Sequence, residues 1–297
     1  MGGGRNDQTR PIGECPTGTD AFLRSNVCNR KQPVHIETAE NWGHLQDLLL
    51  GGAWNDQLGR FRSSCAFRGL SDAAYPLDTT LIRLGGAFDR LEQHLLRNFK
   101  KYAHRNVVAR DSYWHWLSLA QHHGLPTRLL DWTHSPLIAA HFATVSTDKT
   151  DIDGAIWRID YEQTHKLLPV KIRDALQKEG ANTFTTDMLN HAVSSLRELD
   201  MMSEDPFLLF FEPPSMDDRI VNQYALFSVM SNATLGLNSW IEEHPELCCK
   251  ILIPAELKWE IRDKLDQCNV TERVLFPGLE GLSRWLRRHY SPKSPAS

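Results

Sequence analysis

The sequence predicts an α+β fold, a mixed β-sheet core with several flanking helices, on three observations. The 297 residues are 41% hydrophobic and 24% charged, which is the composition of a soluble globular chain with a sizeable core. Apolar residues recur at steps of three and four in several long stretches, as amphipathic helices require. Short apolar runs rich in β-branched and aromatic residues lie between those stretches, without the strict alternation of a doubly wound sheet.

Taken in chain order, residues 1–33 are rich in Gly, Asn, Arg and Pro and are expected to form a flexible N-terminal leader. "NWGHLQDLLL" (41–50) predicts a helix, and "SCAFRG" (64–69) a strand stopped by Gly69. Phe88, Leu91, Leu95, Phe99 and Tyr102 predict a helix over 87–103. "DSYWHWLSLAQHHG" (111–124) opens on a capping Asp or Ser and ends on Gly124, with Pro126 beyond, so Gln121, His122 and His123 fall on a last helical turn. Residues 129–133 read as extended, and "SPLIAAHFA" (135–143) as a helix with Pro136 at its first position. "GAIWRI" (154–159), "NQYALFSV" (222–229) and "KILI" (250–253) predict strands, the last stopped by Pro254. "TTDMLNHAVSSLREL" (185–199) and "ELKWEIRDKLDQC" (256–268) predict helices, and "RWLRRHY" belongs to a docked, half-solvated C-terminal helix. "SPKSPAS" is expected to be a disordered tail over 291–297, because alternating Pro and Ser cannot build a helix.

Thirty-three Lys and Arg against 37 Asp and Glu give a net charge of −4, so no global positive field favours nucleic acid or anionic membrane. No run approaches the roughly 18 apolar residues of a membrane span, and the N-terminus has no apolar signal-peptide core. The six cysteines, at 15, 28, 65, 248, 249 and 268, show no C-x-x-C spacing. Reduced thiols and a cytoplasmic location are therefore expected.

The charged residues carry the functional question. Arg68 presents a planar donor fork beside Gly69, where a ligand or another backbone can come close; a structural ion pair with Asp131 or Asp78 is the competing reading. Arg128 and Asp131, set among Leu129, Leu130 and Trp132, favour a structural polar network over a catalytic couple. His122 and His123 invite acid and base chemistry, although a helix C-terminus also favours a cationic histidine without any function. Together with His134 and His141 they show no zinc-type spacing, so no metal site is expected there. No phosphate-binding G-x-x-x-x-G-K-[ST] loop and no G-x-S-x-G elbow is present.

"FRG" (67–69), "TLIR" (80–83), "WLSLAQHHGLPTRLLDWTHSPLIAAHFA" (116–143), "GAIW" (154–157), "RIVNQYALFSV" (219–229) and "VLFPGLEGLSRWL" (274–286) together resemble the FRG domain, expected over 34–290. A second resemblance is to the NAD-binding core of ADP-ribosyltransferases, with Arg68 matching the early arginine and "WTHSPLIAAHFA" the hydroxyl-ended strand and following helix, Thr133 at the hydroxyl position. That resemblance implies an ADP-ribosyltransferase-like fold, NAD as the nucleotide ligand, and transfer to a macromolecular acceptor. The company FRG domains keep implies a bacterial toxin or phage-defence effector. The sequence departs from the pattern at Gln223, which stands where glutamate is expected; Glu212 and Asp131 are alternative carboxylates.

On this reading Arg68, Gln223 and His122 are the candidate catalytic residues, with Arg68 clamping phosphate or ribose and Gln223 near the ribose. Gly69, Gln121, His122, His123, Arg128, Asp131, Trp132 and Thr133 are the candidate NAD-binding residues. Gln121 and His122 line the entrance, Arg128 and Asp131 hold the loop, and Trp132 and Thr133 touch the ligand. The alternative is a non-enzymatic FRG interaction or nucleotide-binding module, in which the same network only shapes a surface. Hydrolysis of a nucleotide by the histidine pair is a third, weaker reading.

Overall fold

The computed structural model describes Met1 and residues 33–56, 58–103 and 111–292. The expected leader, apart from Met1 and Pro33, and the expected tail beyond Pro292 lie outside the described residues. Among the described residues there are ten strands: β1 (His35–Thr38), β2 (Trp54–Asn55), β3 (Arg60–Phe61), β4 (Cys65–Leu70), β5 (Leu129–Thr133), β6 (Gly154–Asp160), β7 (Phe184–Thr185), β8 (Leu208–Glu212), β9 (Ala225–Met230) and β10 (Cys248–Ile253). Eight form one sheet in the order β1-β10-β6-β4-β5-β9-β8-β7, while β2 and β3 pair with each other. The β1–β10 and β7–β8 pairs are parallel and the rest antiparallel, so the sheet is mixed and the fold is α+β.

Strand alternation divides the core. Leu129, Phe227, Val229, Leu209 and Phe211 point to one face of the β5-β9-β8 half, where Trp114, Leu117 and Leu189 cover them. Phe67, Ile156, Ile251 and Ile253 point to a face of the β4-β6-β10 half, under Leu45, Ala139, Ala143 and Ile261. Phe67 is the register partner of Thr133, so these two apolar layers share one face of the sheet and meet at the β4–β5 boundary. Ala66, Leu70, Leu130, Trp132, Leu226 and Phe210 pack together on the opposite face.

The boundary itself is sparsely paired. All six residues of β4 pair with β6, and all five of β5 pair with β9, yet β4 and β5 pair only at Phe67 and Thr133. The two halves part there, which leaves backbone groups of β5 without a strand partner.

Most predicted helices form where periodicity and caps place them. Asn41 and Ser112 accept from the N–H groups of His44 and His115 at the starts of Trp42–Leu50 and Tyr113–His122. Phe88–Tyr102, Pro136–Thr144, Lys258–Gln267 and Leu279–His289 are also helical. Three expectations change. Gly69 does not stop its strand, because β4 continues to Leu70. The stretch 185–199 is two helices, Thr186–Ala192 and Leu196–Asp200. Val193 is extended between them, its carbonyl accepting from the Trp114 indole at 2.6 Å, and Ser195 caps the second helix. The strand expected from 222 begins at 225, since Asp218–Asn222 is a helix and Gln223 its cap.

Candidate functional site

The opened seam holds a cleft of about 250 Å³ lined by Phe67, Arg68, Gly69, Asp131, Trp132, Thr133, Phe142, Arg219, Gln223 and Ala225. Six sequence-predicted residues from three separate stretches therefore border one concave space, and the pairing defect between β4 and β5 is what makes room for it.

Arg68 occupies the seam. Its Nη1 donates to the backbone carbonyl of Asp131 on the strand that β4 fails to pair with, so a guanidinium replaces a rung of the ladder. Neither ion pair weighed from sequence forms: Asp131 is contacted through its carbonyl, and the Asp78 carbonyl accepts from Arg83 at 2.8 Å. The Nε of Arg68 is buried with no partner among the described residues. Burial pulls this guanidinium below its ordinary value, opposed by the charge of Asp131 and reinforced by that of Arg83.

Asp131 is oriented from the helix Tyr113–His122. Gln121 donates from Nε2 to Oδ2 of Asp131 at 2.8 Å, while its Oε1 accepts from the Thr127 hydroxyl at 2.5 Å. The amide is thereby fixed in one sense and aims the carboxylate. Gln121 is a positioning residue, one layer behind the cleft. Asp131 is the one carboxylate among the described residues that line the cleft.

The far wall is the helix Asp218–Asn222 with its cap. Thr133 donates its hydroxyl to the Gln223 carbonyl at 2.7 Å and accepts from the Ser135 N–H at 3.0 Å. Gln223 donates its side-chain amide to the Leu275 carbonyl at 3.0 Å. Tyr224 then adopts φ +47°, a left-handed conformation costing roughly 1 kcal/mol in a residue other than glycine. Both Thr133 and Gln223 border the cleft, but their hydrogen bonds are already committed to holding the wall. Arg219, unflagged by sequence reasoning, adds a second guanidinium lying over the Phe276 ring at 5.1 Å. It lies inside "RIVNQYALFSV", and only its position at the start of a short helix beside the cleft marks it.

Other expected residues take different places. Gly69 is required for packing: a Cβ there would stand 1.9 Å from the Ala139 carbonyl oxygen of the helix Pro136–Thr144. Trp132 is 3% exposed, with its indole N–H donating to Ser228 Oγ at 2.8 Å and its ring edge-on to Phe210, so the ring cannot stack on a ligand. His122 is tied to Asp217 at 2.7 Å, which joins two helices behind the wall, and His123 is an exposed cap. Neither histidine borders the cleft. Burial raises the Asp217 carboxyl, but the Ile220 N–H and the His122 ring outweigh it and hold it below the ordinary range. Arg128 is elsewhere: its Nε and Nη2 reach the buried Glu92 at 2.8 and 2.6 Å, Nη1 reaches Asp200, and it borders another cavity. Glu212 lies 3.6 Å from His134 and does not border the cleft.

The cleft thus offers two guanidinium groups, one oriented carboxylate and apolar walls at Phe67 and Phe142. That donor set suits an anionic ligand carrying hydroxyl groups, such as a phosphorylated sugar. Comparison with curated proteins and with solved structures finds no match to the chain. A family model does match, over a segment that contains β4, β5 and the helices between and after them, and with them Arg68, Gln121 and Asp131 but not Arg219 or Gln223. The model that matches is that of the FRG domain, and the match covers residues 63–152.

Proposed function

We propose that the seam cleft binds a nucleotide of the NAD class, with the phosphate and ribose portion between Arg68 and Arg219 and the ribose hydroxyls facing Asp131. The observation that carries this reading is the buried Nε of Arg68, a donor with no partner among the described residues, in a wall of the cleft. A buried unsatisfied donor costs about 1–3 kcal/mol, and an anionic ligand would remove that cost. Arg219 supplies the second fork of a phosphate clamp. At about 250 Å³ the cleft encloses part of a dinucleotide. Phe142 is shared with an adjoining groove of about 490 Å³, where the remainder can extend.

Bound there, NAD would bring an activated ribose whose nicotinamide is a leaving group; the protein's task is to hold the ribose and stabilise the developing positive charge. Gln223 does not supply that charge, because it is neutral and its amide nitrogen is bound to Leu275. Asp131, aimed by Gln121, is the residue of this chain suited to it. The test is incubation of the pure protein with labelled NAD, total protein and nucleic acid, alongside Arg68→Ala and Asp131→Asn. Retained label in the wild type, loss of both binding and transfer in Arg68→Ala, and binding without transfer in Asp131→Asn support an ADP-ribosyltransferase-like enzyme. Binding without transfer in the wild type reduces the function to a nucleotide-binding module. No binding by the wild type refutes both.

A second reading, a non-enzymatic interaction module, is favoured by one observation: Thr133, Gln223 and the Arg68 Nη1 all spend hydrogen bonds on the fold itself. It requires that Arg68→Ala lower the denaturation midpoint without altering any nucleotide affinity.

A further inference from the structure

At one edge of the sheet, β1 and β10 run parallel, and His35 is the register partner of Cys249. His35 and Glu37 are two apart on β1 and so share a face, and the pairing puts Cys249 on that same face. His35 Nε2 lies 3.0 Å from Glu37 Oε1, and Cys249 Sγ lies 3.9 Å from the same oxygen. All three donor atoms fall within 4.8 Å of one another. In a tetrahedral site with bonds of about 2.0–2.3 Å, ligand atoms stand roughly 3.3–3.8 Å apart, so movements of an ångström or less bring the three into register.

We infer that His35, Glu37 and Cys249 form a binding site for a divalent transition metal ion of zinc type, independent of the nucleotide cleft and outside the FRG match. Imidazole, carboxylate and thiolate together select a borderline cation over calcium or magnesium, which take oxygen ligands. The backbone frame is set, since four consecutive residues of β1 pair with β10, and only side-chain rotation completes the site. Cys249 is buried at the floor while the His35 side chain is 66% exposed at the rim, so the fourth position opens to water. Arg158, the register partner of Cys249 on its other side, donates to the carbonyls of Leu48 and Gly51 at 3.0 and 3.2 Å, which draws its charge toward the helix end. Binding would displace the thiol proton of Cys249 to solvent and pin the edge strand to the sheet. The spacing rules of sequence reading cannot detect such a site, because two of its donors are 212 residues apart in the chain.

The test uses the full chain, freed of metal with a chelator and titrated with Co²⁺ and Zn²⁺. One equivalent of Co²⁺ should produce a thiolate charge-transfer band and tetrahedral d–d absorption, displaced by Zn²⁺, with a rise in melting temperature. Cys249→Ser should abolish the band, His35→Ala and Glu37→Gln should weaken binding at least about tenfold, and Cys248→Ser should retain both band and affinity. No thiolate band in the wild type, or a band that survives Cys249→Ser, overturns the site. Should Cys249→Ser fail to fold, the two variants on β1 decide: unchanged affinity in both also overturns it.

Discussion

Two arginines near neighbouring strands face opposite fates. Arg128, just before β5, is 5% exposed and saturated by Glu92, Asp200 and the Met230 carbonyl. Burial alone would lower its affinity for the proton, but bonds to the two carboxylates outweigh burial and raise it. Arg68, in β4, has one carbonyl partner and an unpartnered Nε, and burial pulls it below the ordinary value. A buried charge that is fully paired belongs to the fold, whereas one left short of partners beside a cleft is poised for a ligand.

That contrast can be broken first on the saturated side. Arg128→Ala strands the 3%-exposed Glu92 and should cost about 3–5 kcal/mol by chemical denaturation, with Glu92→Leu in the same chain restoring much of it. On the other side, Arg68→Ala should leave stability within ~1 kcal/mol of wild type while weakening ADP-ribose binding about 100-fold, or roughly 2.7 kcal/mol, by titration calorimetry.

A third buried base extends the saturated class to histidine. His165 Nδ1 sits 2.9 Å from the Asn182 carbonyl, and Nε2 accepts from the Phe210 N–H at 3.0 Å, so both ring nitrogens are satisfied in the neutral form alone. Burial lowers this histidine to about 4, against the weaker upward pull of the Asn182 bond. The unfolded chain, with an ordinary value near 6.5, takes the proton first. Stability contributed by His165 is therefore full above pH ~6.5 and falls by roughly 1.4 kcal/mol per pH unit down to about 4. Melts of wild type and His165→Gln across that window should converge as pH drops. The smallest effect should come from Gln121→Ala, which frees the Asp131 carboxylate and should cost ~1 kcal/mol of stability with a several-fold loss of ADP-ribose affinity.

Sequence made the helices legible because periodicity and capping are local. The resemblance to the ADP-ribosyltransferase core put Arg68 and Thr133 at one site, with Asp131 holding the loop beside them, and both Arg68 and Asp131 lie in short stretches bounded by local breakers. The rest depended on pairing across long separations. The strand "LLFFE" between Pro206 and Pro213 shows no alternation, because it is buried on both faces, and it is identified only by its pairing with β9. Trp132 reads from sequence as a stacking surface, but Ser228, 96 residues away, and Phe210 claim it. Arg128 and Asp131 are close in sequence, yet their partners are Glu92 with Asp200 and Gln121 respectively. Arg219 enters the cleft because β4 and β5 part, and no local pattern records a missing rung.

The central claim is that the Arg68 guanidinium is held in reserve for a phosphorylated ligand. Titration of ADP-ribose into wild type, Arg68→Lys and Arg68→Ala, each first shown to melt at a similar temperature, addresses it directly. Saturable one-to-one heat in the wild type, weaker binding in Arg68→Lys because a lysine has no planar fork, and the weakest, about 100-fold below wild type, in Arg68→Ala is the expected result. Equal affinity in all three, or no ligand heat in any of them, would contradict it.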